Sequence, residues 1–225
     1  MRAIHLCCGA GGTTWGFEQA GIESVFAFDL DETSVAAHRA NFLHVLVVRA
    51  DFRALPAADL PPAEVWTCGL PCEPFSRSGL RLGADDPRDL SVPLARLIGK
   101  TTNLPRYIFL ENLPPYAQTT SAALVRTALE ARGYRWHEAV YNHADYGVPQ
   151  RRRRWHLIAG REGVSPLPQP THAERANLFG RQAWIRFGAI RDGTGATPLS
   201  ARALRGTFRR VINNAAKYGN ATPLR

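Results

Sequence analysis

Residues 3 to 21, AIHLCCGAGGTTWGFEQAG, carry the reading on which the fold turns. AIHLCC (3 to 8) is a short apolar run of strand length, GAGG (9 to 12) reads as a tight turn, and TTWGFEQAG (13 to 21) reads as a helix with Gly21 as its stop. A buried strand that passes through a glycine turn into a helix is the first unit of an alternating β-α chain. Working outward, SVFAFDL (24 to 30) is a second strand ending in an acid. DETSVAAHRANF (31 to 42) is a second helix, with acidic residues in its first turn that suit the helix dipole. HVLVVRAD (44 to 51), EVWTCGL (64 to 70) and RYIFLEN (106 to 112) follow as further strands, and WHLIAG (155 to 160) as another. The pattern predicts an α/β fold with a doubly wound, mostly parallel sheet covered on both faces, and ligands at the carboxyl ends of its strands.

No internal repeat is visible. The alternation decays from about residue 161 into Pro-, Gly- and Arg-rich sequence, so residues 1 to 165 read as the main domain and 166 to 225 as a small, irregular C-terminal remnant. Charge divides the same way. Residues 1 to 150 hold 13 Lys/Arg against 16 Asp/Glu, whereas residues 151 to 225 hold 15 against 3. Nearly all of the basic residues are arginines, whose planar fork suits phosphate and guanine, which predicts a polyanionic partner. A coding bias toward arginine at solvated positions is the plainer alternative. The four cysteines, at 7, 8, 68 and 72, are too few and too clustered for a disulfide scaffold and lack CxxC zinc spacing, so no metal is expected. With no apolar run of about 18 residues to span a bilayer, the chain reads as cytoplasmic, with reduced thiols and no membrane partner.

Every residue with chemistry to offer sits at a predicted strand end. Gly9, Gly11 and Gly12 allow close backbone approach at a helix N-terminus, and Asp29 can accept hydrogen bonds from ribose hydroxyls, which suits an adenosine cofactor, NAD among the options. A glycine turn is also ordinary in such folds. Asp51 ends the third strand where an adenine amino group could be held. Cys68, inside apolar EVWTCGL, reads as a core cysteine. Cys72 follows Pro71 at a strand end and opens a polar loop, so it reads as a nucleophile, which needs positive surroundings and a nearby acid or base. Glu111 in IFLENLPPY supplies a carboxyl. Arg152 and Arg154 in PQRRRRWHLIAG share a face if that segment is extended, although an exposed basic loop would read the same.

Taken together these segments resemble the cytosine-5 methyltransferases of DNA. LCCGAGGTTWGFEQAG resembles the family's first motif, DLFCGAGG followed by a GFEQAG-like helix. FAFDLD resembles the strand with the ribose-binding acid, here Asp29, and RADF the one with the acid near adenine, here Asp51. GLPCEPFSRSGLRLGADDPRDL matches the proline-cysteine loop, FLENL the glutamate-asparagine motif, and NHADYGVPQRRRRWHLIAG the glutamine-arginine motif, in family order over residues 4 to 160.

The resemblance implies a Rossmann-like methyltransferase that uses S-adenosylmethionine. Its cofactor would be held by Leu6, Cys7, Gly9, Gly11, Gly12, Asp29, Leu30, Asp51, Phe52, Pro71 and, in the terminal GNATP motif, Asn220. Catalysis would fall to Cys72, adding to C6 of cytosine, with Glu111, Arg152 and Arg154. Substrate contacts would come from Ser76, Arg77, Arg81, Asn112 and Gln150, and the partner would be duplex DNA with its cytosine flipped into the pocket. Residues 73 to 90 read as a lid, with Gly79 and Gly83 permitting motion.

Two departures stand out. Cys7 replaces the aromatic that lies against adenine, and His5 replaces the preceding acid, which implies weak cofactor affinity. Only GTGA (193 to 196) stands where the family inserts a long region that reads DNA sequence. This predicts a minimal enzyme of low selectivity or the catalytic subunit of a split enzyme whose partner supplies recognition. A noncatalytic nucleic-acid-binding relative and a tRNA cytosine-5 methyltransferase are the alternatives.

Overall fold

A computed structural model describes residues 1–76, 82–164, 166–178 and 180–186. Strands β1 (Arg2–Leu6), β2 (Glu23–Asp29), β3 (Leu46–Arg49), β4 (Val65–Gly69), β5 (Tyr107–Asn112), β6 (Arg135–Asn142) and β7 (Arg153–Gly160) form one sheet in the order β3-β2-β1-β4-β5-β7-β6. The first five pair in parallel, and β7 runs antiparallel between β5 and β6. The chain steps outward one way through α1 (Gly12–Gln19) and α2 (Glu32–Asn41), then the other way through α3 (Ser91–Lys100) and α4 (Thr120–Ala131). Right-handed crossovers in opposite directions place these helix pairs on opposite faces. The switch falls between β1 and β4, and an open α/β sheet has its ligand crevice there.

The turn after β1 shows why this segment opens the crevice. The sequence places the strand through residue 8, but β1 stops at Leu6 because Cys7 adopts φ 55, a left-handed conformation rare for a residue with a Cβ. Gly11, at φ 96, starts α1; a Cβ there would collide with the Phe42 ring, so glycine lets α1 pack on the end of α2. Asp31 caps α2 by accepting from Ser34 N at 2.7 Å.

The core is a continuous cluster that includes Ile4, Leu6, Phe28, Trp66, Cys68, Leu94, Ile98, Ile108, Leu110, Leu129, Trp155 and Leu157. Within it the fully buried His5 joins β1 to both neighbours, through Thr67 Oγ1 at 2.8 Å and Ser24 Oγ at 2.9 Å. Burial, with a smaller contribution from His38, pushes its pKa down to about 4.

The stretch beyond residue 165 packs back onto the β6–β7 loop. β8 (His172–Ala173) and β9 (Gln182–Ala183) pair in parallel, Trp184 Nε1 donates to Asp145 at 2.8 Å, and Arg151 ion-pairs with Glu174 at 2.7 Å. The division expected after residue 165 thus falls inside one compact unit, Met1–Arg186. No helix among the described residues is long and apolar enough to cross a membrane.

Candidate active site

Two clefts open at the carboxyl ends of the strands. The larger, about 730 Å³, is walled by the turn after β1 and by the ends of β2, β3 and β4, and includes Cys7, Gly9, Asp29, Leu30, Asp51, Phe52 and Pro71. Asp29 organises its floor. One carboxylate oxygen accepts from Gly9 N at 2.9 Å and the other from Asp31 N at 3.0 Å, so a single side chain ties the glycine turn to the start of α2. Each oxygen keeps lone-pair capacity toward the cleft. Asp51 accepts from Arg53 N at 2.9 Å, and Phe52 is buried against Phe28 with ring centroids 5.5 Å apart. The donor set, two carboxylates and a turn of glycines beside apolar walls, suits an adenosine with its ribose diol. Residues not anticipated for this cleft also line it, among them Phe28, Glu73, Arg88 and Leu90. Arg88 is held by a bidentate pair with buried Asp86, at 2.7 and 2.9 Å, which keeps the Asp86 carboxyl down at about 2.

Cys72 stands beyond β4 at the head of a 3-10 turn, Glu73–Phe75, half-buried rather than in the core. Phe75 anchors this turn by packing edge-on against Tyr116 at 4.9 Å, and Tyr116 packs on Trp155 of β7 at 5.2 Å. Glu111 is the penultimate residue of β5, half-buried, opposite Gly69 of β4 and His156 of β7. Arg154 Nε lies 2.8 Å from Glu111 Oε1 and Arg152 lies 3.8 Å from the same atom. The Arg154 N–H is not aimed at that oxygen, which has no hydrogen-bond partner among the described residues, so the ion pair leaves a lone pair free there. Arg152 and Arg154 therefore meet at one carboxylate, as side chains of an extended segment two residues apart can.

The thiol differs from the simplest expectation for a nucleophile. Burial, and then the adjacent Glu73, push the Cys72 pKa up, Arg154 pulls it down, and Glu111 raises it again, with a net upward shift. The positive surroundings exist, but in this form they are outweighed.

The remaining predicted residues divide clearly. Leu6 is 1% exposed with its side chain in the core, so only its backbone borders the turn. Gly12 lines the second cleft instead of the first. Asn112, expected at the substrate, is fully buried; its amide donates to Leu70 O at 3.5 Å and its carbonyl accepts from Leu113 N at 2.7 Å, so it fastens the cysteine loop to β5. Gln150 is exposed on the β6–β7 loop, and Ser76 closes the Cys72 turn with its N–H bonded to Glu73 O at 3.3 Å. Gly83 adopts φ 58 in the expected lid. Arg77, Gly79, Arg81 and Asn220 lie outside the described residues.

The second cleft, about 530 Å³, lies between α1 and the β5–β7 face and reaches Glu111 and Arg152 from another side. His143 and His156 line it, neither anticipated from sequence, with their Nε2 atoms 3.2 Å apart. Period-two alternation from Arg154 places His156 on the arginine face, a signal that was available. Burial, the partner imidazole and the nearby arginines push the His156 pKa down to about 4. Burial first, then Arg152 and Arg154, also lowers that of His143.

The family model described as C-5 cytosine-specific DNA methylase matches residues 1–193. Type II methyltransferase M.Bsp6I of Bacillus sp. is 34% identical over 183 residues, covering 76% of this chain and 57% of that relative. M.AquIA of Picosynechococcus sp., also a Type II methyltransferase, is 31% identical over 234 residues, covering 91% of this chain and 93% of that relative. The chain thus spans nearly all of one relative and little more than half of another. The crystal structure of S. pombe Dnmt2 methyltransferase shares the fold, with a TM-score of 0.62 at 24% identity over 74% of this chain and 51% of that one.

Proposed function

The chain belongs to the C-5 cytosine-specific DNA methylase family, and on that premise we propose that it methylates C5 of cytosine in DNA through a covalent adduct on Cys72. The observation that carries this reading is the meeting of three chain segments at one edge of the sheet. Cys72 follows β4 between Pro71 and Glu73 of the Asp29 cleft, Glu111 lies near the end of β5 with Arg154 of β7 2.8 Å away, and both charges are near enough to Cys72 to shift its pKa.

The roles follow from the chemistry of the base. C6 of a stacked cytosine is hidden, so the nucleotide is extruded into the pocket at a cost of a few kcal/mol. The Cys72 thiol gives its proton to solvent and its sulfur adds to C6. Glu111 engages N3 and the exocyclic amine, which makes C6 electrophilic and lets the adduct settle as an enamine whose C5 is nucleophilic. Arg154 and Arg152 hold the Glu111 carboxyl in place, and Asn112 keeps the cysteine loop against β5. Asp29, Asp51, Leu30, Phe52 and Pro71 would hold S-adenosylmethionine, which supplies an electrophilic methyl group when bound. Loss of the C5 proton and expulsion of the Cys72 sulfur restore the aromatic ring.

Sequence discrimination requires side chains placed against base edges, whereas phosphate contacts supply affinity alone. With four residues, GTGA, between Asp192 and Thr197, we assign recognition to a partner subunit and non-specific DNA affinity to this chain's own arginines. The test is transfer of labelled methyl to duplex DNA and tRNA in parallel, with a 5-fluorocytosine duplex as a trap. The reading expects label in DNA and a covalent adduct that Cys72→Ser abolishes. An adduct that persists in Cys72→Ser, or label in tRNA alone, refutes it.

A further inference from the structure

Glu111 poses a problem that its arginine partners do not solve. To meet N3 as a donor it must receive a proton, and neither guanidinium beside it is a proton source. Buried polar atoms without hydrogen-bond partners cost about 1 to 3 kcal/mol each and mark places where a further proton carrier or a water belongs. Among the described residues three such atoms share one sheet face: Glu111 Oε1, His156 Nδ1 and the Tyr141 hydroxyl. The register makes them neighbours, since Glu111 stands directly opposite His156, and Tyr141 opposite Arg154, two residues along the same strand. The ring of His156 lies 5.4 Å from that of Tyr141 and 5.4 Å from that of His143. His143, Glu111 and His156 all border the second cleft, which is open to solvent and separate from the cofactor cleft.

We propose that His143 and His156 are positioning residues that relay a proton between solvent in the second cleft and the Glu111 carboxyl. The proposal rests on the reading of Glu111 given above. In the forward direction solvent protonates His143 at Nδ1, His143 passes its Nε2 proton to Nε2 of His156, and His156 gives its Nδ1 proton to Glu111 across a bridging water. Each imidazole changes tautomer and ends neutral. When N3 returns the proton, the reverse path resets both rings, so the proton is borrowed, and the one proton released per turnover is that of C5. Neutrality suits the surroundings: Arg152, Arg154 and the partner ring all face the pair and burial disfavours its charged form, while the Glu111 carboxyl opposite His156 acts in the other sense. Tyr141 from β6 and Tyr146 from the loop complete the polar surround.

The experiment measures methyl transfer to duplex DNA against pH for the unsubstituted protein, His143→Ala and His156→Phe, with and without added imidazole. Without the relay Glu111 must collect protons from bulk solvent, so the deficit grows as protons become scarce. His143→Ala should be slower by about tenfold at pH 8 and near the unsubstituted rate at pH 6, with KM for DNA unchanged and imidazole restoring the rate through the open cleft. A loss that is uniform in pH and not rescued means that the pair only packs, and overturns the proposal. Nitrogen-15 shifts of the two imidazoles in the free protein give a second measure. Glu111→Gln should change the tautomer signature of both rings, and unchanged shifts also overturn the relay. If the unsubstituted protein transfers no methyl at all, the activity reading fails, and the shifts alone decide the relay.

Discussion

Replacing Asp29 by alanine separates two jobs that the structure gives one carboxylate. In the free protein the side chain accepts from Gly9 N at 2.9 Å and Asp31 N at 3.0 Å. Each bond contributes about 1 kcal/mol net, so their loss should cost about 2 kcal/mol of stability, or about 4 to 8 °C in Tm for a chain of this size. A bound ribose would in addition lose a charged acceptor worth roughly 1.5 to 3 kcal/mol, which weakens binding about ten- to hundredfold. Calorimetric titration with S-adenosylhomocysteine, alongside thermal melts, reads both quantities. Asp29→Asn is the control: it keeps the size and one acceptor oxygen but turns an amide N–H₂ toward a backbone donor, so it should lose most of the affinity with a similar drop in Tm. If Tm falls as expected while affinity is unchanged, Asp29 only braces the turn and the ribose is misplaced. If neither moves, the reasoning from these two hydrogen bonds is wrong altogether.

Arg154→Ala should reduce turnover at least tenfold while Arg154→Lys recovers part of it, because the guanidinium is the closest cation to Glu111; equal rates for both variants would show that the 2.8 Å pair is idle. In the free protein Cys72 should alkylate slowly at pH 7 and faster in Glu73→Gln, since burial and Glu73 both raise its pKa; a pH–rate profile of iodoacetamide labelling that matches an ordinary exposed thiol contradicts this. His5 is neutral when folded, with a pKa of about 4, and the unfolded chain takes up a proton near 6.5, so stability should fall as pH drops from 6.5 toward 4, by up to about 3 kcal/mol; urea midpoints that His5→Gln leaves equally pH-dependent would remove His5 as the cause. Binding to random duplexes should be weak, steeply salt-dependent and less than about tenfold selective, as competition at fixed salt would reveal; a tight single-sequence preference by this chain alone would refute the assignment of recognition to a partner.

Much of the fold was legible because parallel strands buried on both faces read as short apolar runs, and the glycine turn, Asp29 and Asp51 punctuate three of their ends. The exceptions have local causes. β1 ends two residues early because Cys7 turns left-handed, a conformation that residue propensity does not announce at a side chain with a Cβ. β6 escaped notice because RWHEAVYN does not announce which face is buried: its inner residues lie over Arg126 and α4, so that Glu138 points inward to a salt bridge of 2.9 Å and not to solvent. The segment after 165 looked irregular because its order comes from single contacts to Asp145 and Arg151 rather than from a repeating pattern.

The site was legible to the extent that its residues act through their own chemistry at strand ends. Cys72, Glu111, Arg152 and Arg154 could be named as candidates from residue type and position, and the extended segment brings both arginines to the Glu111 carboxylate. What stayed hidden was how groups from distant segments modify one another. Asn112 has the composition of a substrate contact, yet its carbonyl and amide are both committed to holding the Leu70 and Leu113 backbone, which only the closing of β4 against β5 decides. His143 and His156 stand 13 residues apart, on a loop and a strand whose antiparallel return brings their Nε2 atoms to 3.2 Å. The same return puts His156 opposite Glu111, so β7, the antiparallel strand of an otherwise parallel array, delivers both the arginines and the imidazole to one carboxylate. A parallel strand in that position would run from the opposite end of the sheet, and Arg154 and His156 would sit far from the edge where Glu111 lies.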